Sequence, residues 1–356
     1  MADGSAGIAQ ARPTILVGDE SRPELASGLF GLTIDETTEG LHRCEALLGN
    51  WGPKNGTLGF LYFDRATLDF GKRLRVKLGD DVLFDGRITG LEARFPEASP
   101  PQLVVLAEDR LQDLRKSRRS RTFEDVTDAD VFGAIAGDHD LTPQIDVEGP
   151  THRCLAQINQ SDLAFLRDRA RAIGAEVWVE DKTLHVATRD KRRRQPATLA
   201  LNGRLREFSV IADIAGQATE VAATGWDIEA KTAILSTADD SVISGELTDG
   251  VSGASVLREA LQARRMTLAH TTPATEAEAR AMAEGWFRAQ ARRFVVGRGV
   301  ADADARLRVG GVADLRGLGP LFEGEYYLAQ TRHRFDTAHG FRTEFTGERA
   351  NLGRAA

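Results

Sequence analysis

Side chains able to do chemistry are thinly spread through this chain of 356 residues, and their spacing mostly excludes catalysis. His139 lies between Asp138 and Asp140, a run that could bind a metal ion or move protons. It also follows Gly137 at the predicted end of a helix, where polar turn residues are expected, and a turn is the simpler reading. Ser161-Asp162 invites a nucleophile–acid assignment. Helix capping explains it better, because a Ser hydroxyl accepts backbone N–H groups and Asp suits the positive helix start. Glu108 and Asp109 could act as paired carboxylates, but they end a predicted strand beside Arg110, where a local salt bridge suffices. Asp80-Asp81 and Asp239-Asp240 read as turn acids. His333 and His339 lack a second ligand at zinc-like spacing. There is no Gly-x-Ser-x-Gly elbow, phosphate loop or dinucleotide fingerprint, and Gly297-Arg298-Gly299 and Gly317-Leu318-Gly319 are too short to cradle a cofactor. No catalytic, cofactor-binding or metal-binding residue is therefore assigned, and no cofactor is expected.

Charge narrows the field further. Residues 115–121 and 189–194 are basic runs that could meet nucleic-acid phosphates. No aromatic residues interleave them to stack bases, and 46 basic against 53 acidic residues leave a net charge of −7. They are expected as solvated loops or strand ends, next as subunit or channel-facing contacts, with no nucleic acid as specific ligand. Cys44 and Cys154 form no disulfide framework and read as small buried hydrophobes in a reducing compartment. At 42% hydrophobic residues the chain can bury a core. No run approaches the roughly 18 apolar residues of a membrane span, so no direct membrane insertion is expected. Met1–Pro13 lacks the basic-then-apolar order of a secretion signal.

The elements that must position these residues are mostly strands. Phe84, Gly86 and Ile88 share one phase and Leu91, Ala93 and Phe95 the other, which predicts a bulge at Thr89-Gly90. Leu103–Ala107 reads as a buried strand. Tyr327, Ala329, Thr331, His333 and Phe335 alternate, turn residues follow at 336–340, and Phe341, Thr343 and Phe345 resume, predicting a hairpin. Further strands are expected near 14–18, 29–36, 58–63, 73–78, 176–187, 206–212, 218–224 and 306–316. Three helices are marked. One starts at Thr127-Asp128 and ends near Gly137. One starts at Ser161 and ends at Gly174. One is capped by Thr275, with Glu278 at capping-box spacing and Trp286-Phe287 on its core face, and ends near Phe294. Loops are expected at 95–102, 188–196 and 239–255. The fold class is α+β and mostly β: barrel-like regions flanking an α+β middle.

Several segments, in a fixed order, carry a resemblance. They are 79–90, 101–114, a short helix at 126–141, 153–186, 275–299 and 315–349. The most specific piece is Gln157, Ser161, Asp162, Leu163, Phe165 and Leu166, followed by Gly174 and Trp178. The second is the closing stretch with Gly324, Tyr326, His333, Phe335, Arg342 and Phe345. Together they resemble the phage late control protein D family, the hub proteins of contractile tails, and the hub part of type VI secretion valine-glycine-repeat tip proteins. One departure from the type VI pattern is Gln160, where Glu usually precedes the Ser-Asp pair.

The resemblance implies two tube-like β-barrel domains with an α+β middle region. The implied divisions are 14–115, a first barrel; 116–200, the α+β middle; 201–265, a β-rich part completing or linking the barrels; and 266–352, the capped helix with the C-terminal barrel strands. Residues 1–13 and 353–356 would be flexible termini. It implies a structural, non-enzymatic homotrimer, a pseudo-sixfold ring adapting a hexameric tail tube to a trimeric spike. Its partners would be a separate spike protein, the tail tube protein and other baseplate proteins, because the chain stops soon after the closing motif, before any fused spike. It would be made in the bacterial cytoplasm without a signal peptide and end in a phage tail or injection-machine baseplate. The competing expectations are a tail-tip cell-wall hydrolase and an adaptor that binds an effector cargo.

Overall fold

A computed structural model describes residues 12–54, 56–192, 194–247, 250–268 and 272–354. Most of the two terminal segments named above, and Arg193 of the second basic run, lie outside the described residues. The chain is mostly β, 49% strand against 19% helix, and its frame is one large sheet. From one end the strands run Leu205–Ala212, Val295–Asp302, Gly340–Arg349, Gly324–Asp336, Leu29–Thr37, Arg43–Gly49, Gln102–Glu108, Asp81–Arg94, Arg73–Leu78, Thr14–Val17 and Glu20–Ser21. All these neighbours are antiparallel. Val312–Arg316 joins on Gly324–Asp336, and Ala197–Ala200 joins parallel to it. The first and last thirds of the chain thus meet where Gly324–Asp336 pairs with Leu29–Thr37.

Alternation explains which side is buried. In Leu29–Thr37, Leu32, Ile34 and Glu36 point inward. The ladder between Asp81–Arg94 and Gln102–Glu108 slips between Ile88 and Gly90, the bulge expected from the change of phase. A second bulge was not expected. The closing hairpin slips between Leu328 and Gln330, so Tyr326 and Leu328 are buried on one side of it and Thr331, His333 and Phe335 on the other. Tyr327 therefore leaves the phase the alternation assigned to it. One core packs Leu32, Ile34, Leu74, Val76, Ile88 and Phe335 under the first half of the sheet. Another packs Leu205, Phe294, Leu315, Tyr326, Leu328 and Phe345 under the second.

Two smaller layers flank the sheet. Helices Asp128–Asp138 and Asp162–Ala172 pack with strands Thr142–Asp146, Ala175–Glu180 and Thr183–Thr188. Helix Glu276–Ala291 packs with Glu220–Asp227 and Thr232–Ala238. All three helix starts lie at the expected caps. Thr275 Oγ1 accepts the Glu278 N–H at 3.2 Å, but Glu278 reaches back to the Ala274 N–H, one residue earlier than a capping box requires. This helix ends at Ala291, short of Phe294, which turns into the sheet core.

Three expectations need correction. Residues 239–255 are not a plain loop. They hold a 3-10 turn, Asp240–Glu246, and the start of helix Gly253–Leu261, capped by Ser252 and anchored by buried Ala254 and Leu257; Thr248 and Asp249 lie outside the described residues. The strand expected at 58–63 is Thr57–Phe60, since pairing with Trp51–Lys54 ends there. The strand expected at 306–316 is only Val312–Arg316, because Arg308 and Val309 are diverted to Glu36.

Candidate functional site

The Gln-x-x-x-Ser-Asp segment builds a polar lock. Ser161 caps helix Asp162–Ala172, its Oγ accepting the Ala164 N–H at 3.2 Å. Asp162, buried at the next position, accepts from Gln157 Nε2 at 2.8 Å and Arg121 Nη2 at 3.0 Å, with Arg119 Nε at 3.3 Å and His139 Nε2 at 2.8 Å. Gln157 also accepts from Arg121 Nε at 2.8 Å and donates to the Gln160 carbonyl at 3.0 Å. Burial alone would raise the Asp162 pKa; the Gln157 and His139 hydrogen bonds and the two guanidiniums outweigh it and lower it. The helix is thereby fastened to strands Arg118–Val126 and His152–Ser161. Phe165 stacks on Phe123, ring centroids 6.0 Å apart. Gly174 ends the helix at φ +67°, and Trp178 stacks on His185 at 4.9 Å with the Arg192 guanidinium 4.1 Å from its ring centroid. His139 stands at the end of helix Asp128–Asp138, as a turn residue should, but its ring belongs to the Asp162 lock.

The closing residues are divided between the two cores. Gly324 takes φ +126° at the strand start. Tyr326 is fully buried and its hydroxyl donates to the Phe322 carbonyl at 2.7 Å. Phe345 lies where a Cβ on Gly299 would come within 2.5 Å of its ring, and Phe335 lies in the first core. Arg342 pairs across the ladder with Asp302 and Arg334. His333 is buried, its Nδ1 3.0 Å from Thr343 Oγ1, whereas His339 sits exposed in the turn beside Asp336.

The sheet register places Thr331 opposite Glu36 and His333 opposite Ile34, and this creates an ion cluster that the motif reading did not find. Glu36 is buried and pairs with Arg308; its Oε2 accepts the Val309 N–H at 3.1 Å and the Thr331 hydroxyl at 3.3 Å. His42 Nδ1 lies 4.0 Å from both Glu36 and Asp109. Burial would raise Glu36, but Arg308, His42 and His333 together hold it down to about 2. Burial pushes His42 and His333 down to about 4. It pushes Asp109 up to about 7 despite backbone N–H bonds from His42 and Leu111. The available signal was a Glu in the inward phase of Leu32 and Ile34, which demands a buried cation. Among the described residues no three His, Cys, Asp or Glu side chains are placed to hold a metal ion.

The first basic run is a largely exposed strand end, as expected, whereas the second is a turn whose cations are drawn into ion pairs. Arg115 pairs with Glu108, Lys116 with Asp113, and Arg119 and Arg121 with Asp138 and Asp162. Arg189 pairs with Glu176 and Glu348, Lys191 with Asp146, Arg192 with Glu176 and Arg194 with Glu180. Arg119, Arg121, Arg189, Lys191, Arg192 and Arg194 pair with carboxylates from other segments, which no local composition reveals, while Lys116 pairs locally and Arg118 donates to the Asn159 carbonyl at 2.7 Å. Likewise Glu108 pairs with Arg115 and Arg43, not with Arg110. Cys44 is buried as expected, while Cys154 is exposed, on an outward position of its strand.

Among the described residues an exposed apolar hairpin and a cleft stand out. Hairpin Trp51–Lys54/Thr57–Phe60 sets Trp51 opposite Phe60 and Pro53 opposite Leu58, one apolar face continued by Phe63 and Phe95. Leu58 is 69% and Phe95 66% exposed, far beyond what a solvated hairpin needs. The second surface is a cleft of about 980 Å³ between helices Asp162–Ala172 and Glu276–Ala291 and the outer face of the sheet. Trp286 lines this cleft half-buried, while Phe287 takes the core position expected of both.

Compared with known proteins, the fold is that of phage tail proteins and of a type VI secretion component. The 43 kDa tail protein of prophage MuSo2 from Shewanella oneidensis superposes with a TM-score of 0.69 at 12% identity, covering 95% of this chain and 98% of that one. The tail protein from Neisseria meningitidis MC58 gives 0.69 at 14% identity, covering 95% and 96%. A component of the type VI secretion system of E. coli gives 0.56 at 11% identity, covering 96% and 77%. The resemblance to contractile-tail hub proteins therefore holds at the level of fold. No curated protein matches the sequence. No helix among the described residues is long and apolar enough to cross a membrane. The family model for the Alg8 N-terminal domain matches residues 59–337, most of the sequence, and the chain belongs to that family.

Proposed function

We propose that the chain is a structural subunit of a contractile-tail baseplate hub and not an enzyme. The observation that carries this reading is the large sheet, which joins two halves side by side and, among the described residues, leaves Leu205–Ala212 and Glu20–Ser21 as open ends. Open edges template unwanted pairing unless something covers them. Three copies in a ring would cover each edge with the opposite edge of a neighbour, a heterologous contact that closes on itself. Each copy would supply two tube-like barrel units, the first from 14–115 and the second from 201–265 with 266–352, while 116–200 forms the middle region. Six units would then surround a channel and adapt a hexameric tube to a trimeric spike. The tail and type VI neighbours support this role. The partners are further copies of the chain, a spike protein, the tube protein and other baseplate proteins, and the destination is a tail or injection-machine particle. The exposed aromatic hairpin supports an assembly role, because a packed aromatic face is the usual anchor of a protein contact.

The test is the mass of the purified chain by light scattering behind a sizing column. The expected result is three times 38.7 kDa, with a threefold, pseudo-sixfold particle in electron microscopy. A stable dimer at every concentration overturns the proposal.

A further inference from the structure

We infer that the cleft between helices Asp162–Ala172 and Glu276–Ala291 and the outer face of the sheet is a binding site for an acidic protein segment bearing an apolar anchor residue. Charge carries this most directly. Every carboxylate lining the cleft is already held: Glu39 and Asp168 by Arg171, Glu176 by Arg189 and Arg192, and Glu348 by Arg189 at 2.7 Å. Three guanidiniums are not. Among the described residues Arg298 has no ion pair, and it is exposed. Arg167 bonds only to the backbone oxygens of Glu39 and Gly40, at 2.8 and 3.2 Å. Arg293 comes no nearer than 4.0 Å to a carboxylate that Arg189 already holds. Burial lowers the pKa of Arg167, the direction of a cation short of counter-charge.

The rest of the cleft suits a polypeptide. Leu268, Met282 and Trp286 form a half-buried apolar wall. The ladder aligns Ser209, Arg298, Thr346, Gln330 and Thr37 in one row across the sheet, so a free guanidinium stands among hydroxyl and amide groups that can bond a main chain. The row borders a neighbouring hollow of about 860 Å³ that also carries Asp35, Glu207 and Glu344, which confines the acidic residues of the segment to the cleft around Arg167, Arg293 and Arg298. A continuous phosphate backbone fits less well, because it brings one negative charge per unit and the cleft offers only the guanidiniums of Arg167, Arg293 and Arg298 against them. The cleft is formed within one chain, so its occupancy does not depend on ring formation.

The probe is a nine-residue fluorescein-labelled peptide with two Glu and one Phe in a Ser/Gly background, titrated onto the full chain and followed by anisotropy. Its counterparts carry Gln for Glu or Ala for Phe, and an oligothymidylate of similar length serves as competitor. The acidic peptide is expected to bind, the Gln and Ala forms to bind roughly fivefold or more weakly, and Arg298→Glu and Arg293→Glu to weaken binding by a similar factor. Both positions are exposed, and Met282→Gln tests the apolar wall separately. Equal binding of the Gln form, indifference to Arg298→Glu, or preferential displacement by the oligonucleotide overturns the inference. So does a change of oligomer mass in Arg298→Glu without peptide binding, which would make a second copy the occupant.

Discussion

Glu36 offers the sharpest test of how the two halves of the sheet are held together. Its carboxylate comes from Leu29–Thr37, whereas its partners Arg308, Val309 and Thr331 come from the end of the chain. Its side chain is only 1% exposed, so solvent screens little. Holding the carboxyl at about 2 against an ordinary 4.5 corresponds to about 3 kcal/mol at neutral pH. Glu36→Gln keeps the shape and removes the charge, leaving the Arg308 guanidinium buried without a counter-ion, and is expected to cost about 3 kcal/mol. Because removing both charges spares that penalty, Glu36→Gln with Arg308→Met should lose less than half as much. The assay is urea unfolding followed by tryptophan fluorescence. The sign with pH is set by a depressed folded pKa: the contribution is complete above 4.5 and is lost as pH falls toward 2, so the gap between wild type and Glu36→Gln should narrow over that interval. A single variant within about 0.5 kcal/mol of wild type at pH 7, or a double variant as unstable as the single, would refute the reasoning.

The neighbouring groups give a second pH dependence. His42 and His333 stay neutral down to about 4 when folded, while Asp109 stays protonated up to about 7. Between about pH 4 and 6.5 the two histidines make the unfolded chain bind more protons, and Asp109 opposes them by one. These three groups should therefore contribute a rise of about 1.4 kcal/mol per pH unit there, to which His185, also lowered by burial, adds in the same direction, and a flat or falling profile in urea titrations at stepped pH would exclude it. Gly285→Val drives a Cβ to 2.9 Å from the Ala172 carbonyl, where the two helices meet, and is expected to lower stability by about 1–3 kcal/mol in the same assay. Asp162→Ala should cost about 2–3 kcal/mol because it removes the buried acceptor shared by Gln157, His139, Arg119 and Arg121, although Asp138 still holds both guanidiniums, against about 1 kcal/mol for the cap variant Ser161→Ala; equal losses would mean that capping alone matters. Trp51→Ser with Phe60→Ser should leave the melting of the isolated chain within the roughly 1.5 kcal/mol of an aromatic pair, yet abolish any trimer seen by light scattering.

Local signals in the sequence determined the helix caps at Thr127, Ser161 and Thr275, the bulge at Thr89-Gly90, the closing hairpin and the predominance of strands. Each depends on a period or a cap contained within about ten residues, so composition and spacing suffice. The Ser161-Asp162 pair was legible as a cap for the same reason, but the collection of Gln157, Arg119, Arg121 and His139 around Asp162 was not, because it spans several elements. Only the tertiary structure decided the rest. It paired the first third of the chain with the last through Leu29–Thr37 and Gly324–Asp336, and brought Arg308 to Glu36. It paired Arg121, Arg189 and Arg192 of the two basic runs with carboxylates from other segments. It moved Tyr327 across the sheet by a bulge after Leu328, and left Trp51, Leu58, Phe60 and Phe95 in the open. Ion pairs and exposed faces are set by which distant strands become neighbours, and strand order is a property of the whole sheet, fixed by packing of its cores and invisible in any short window of sequence.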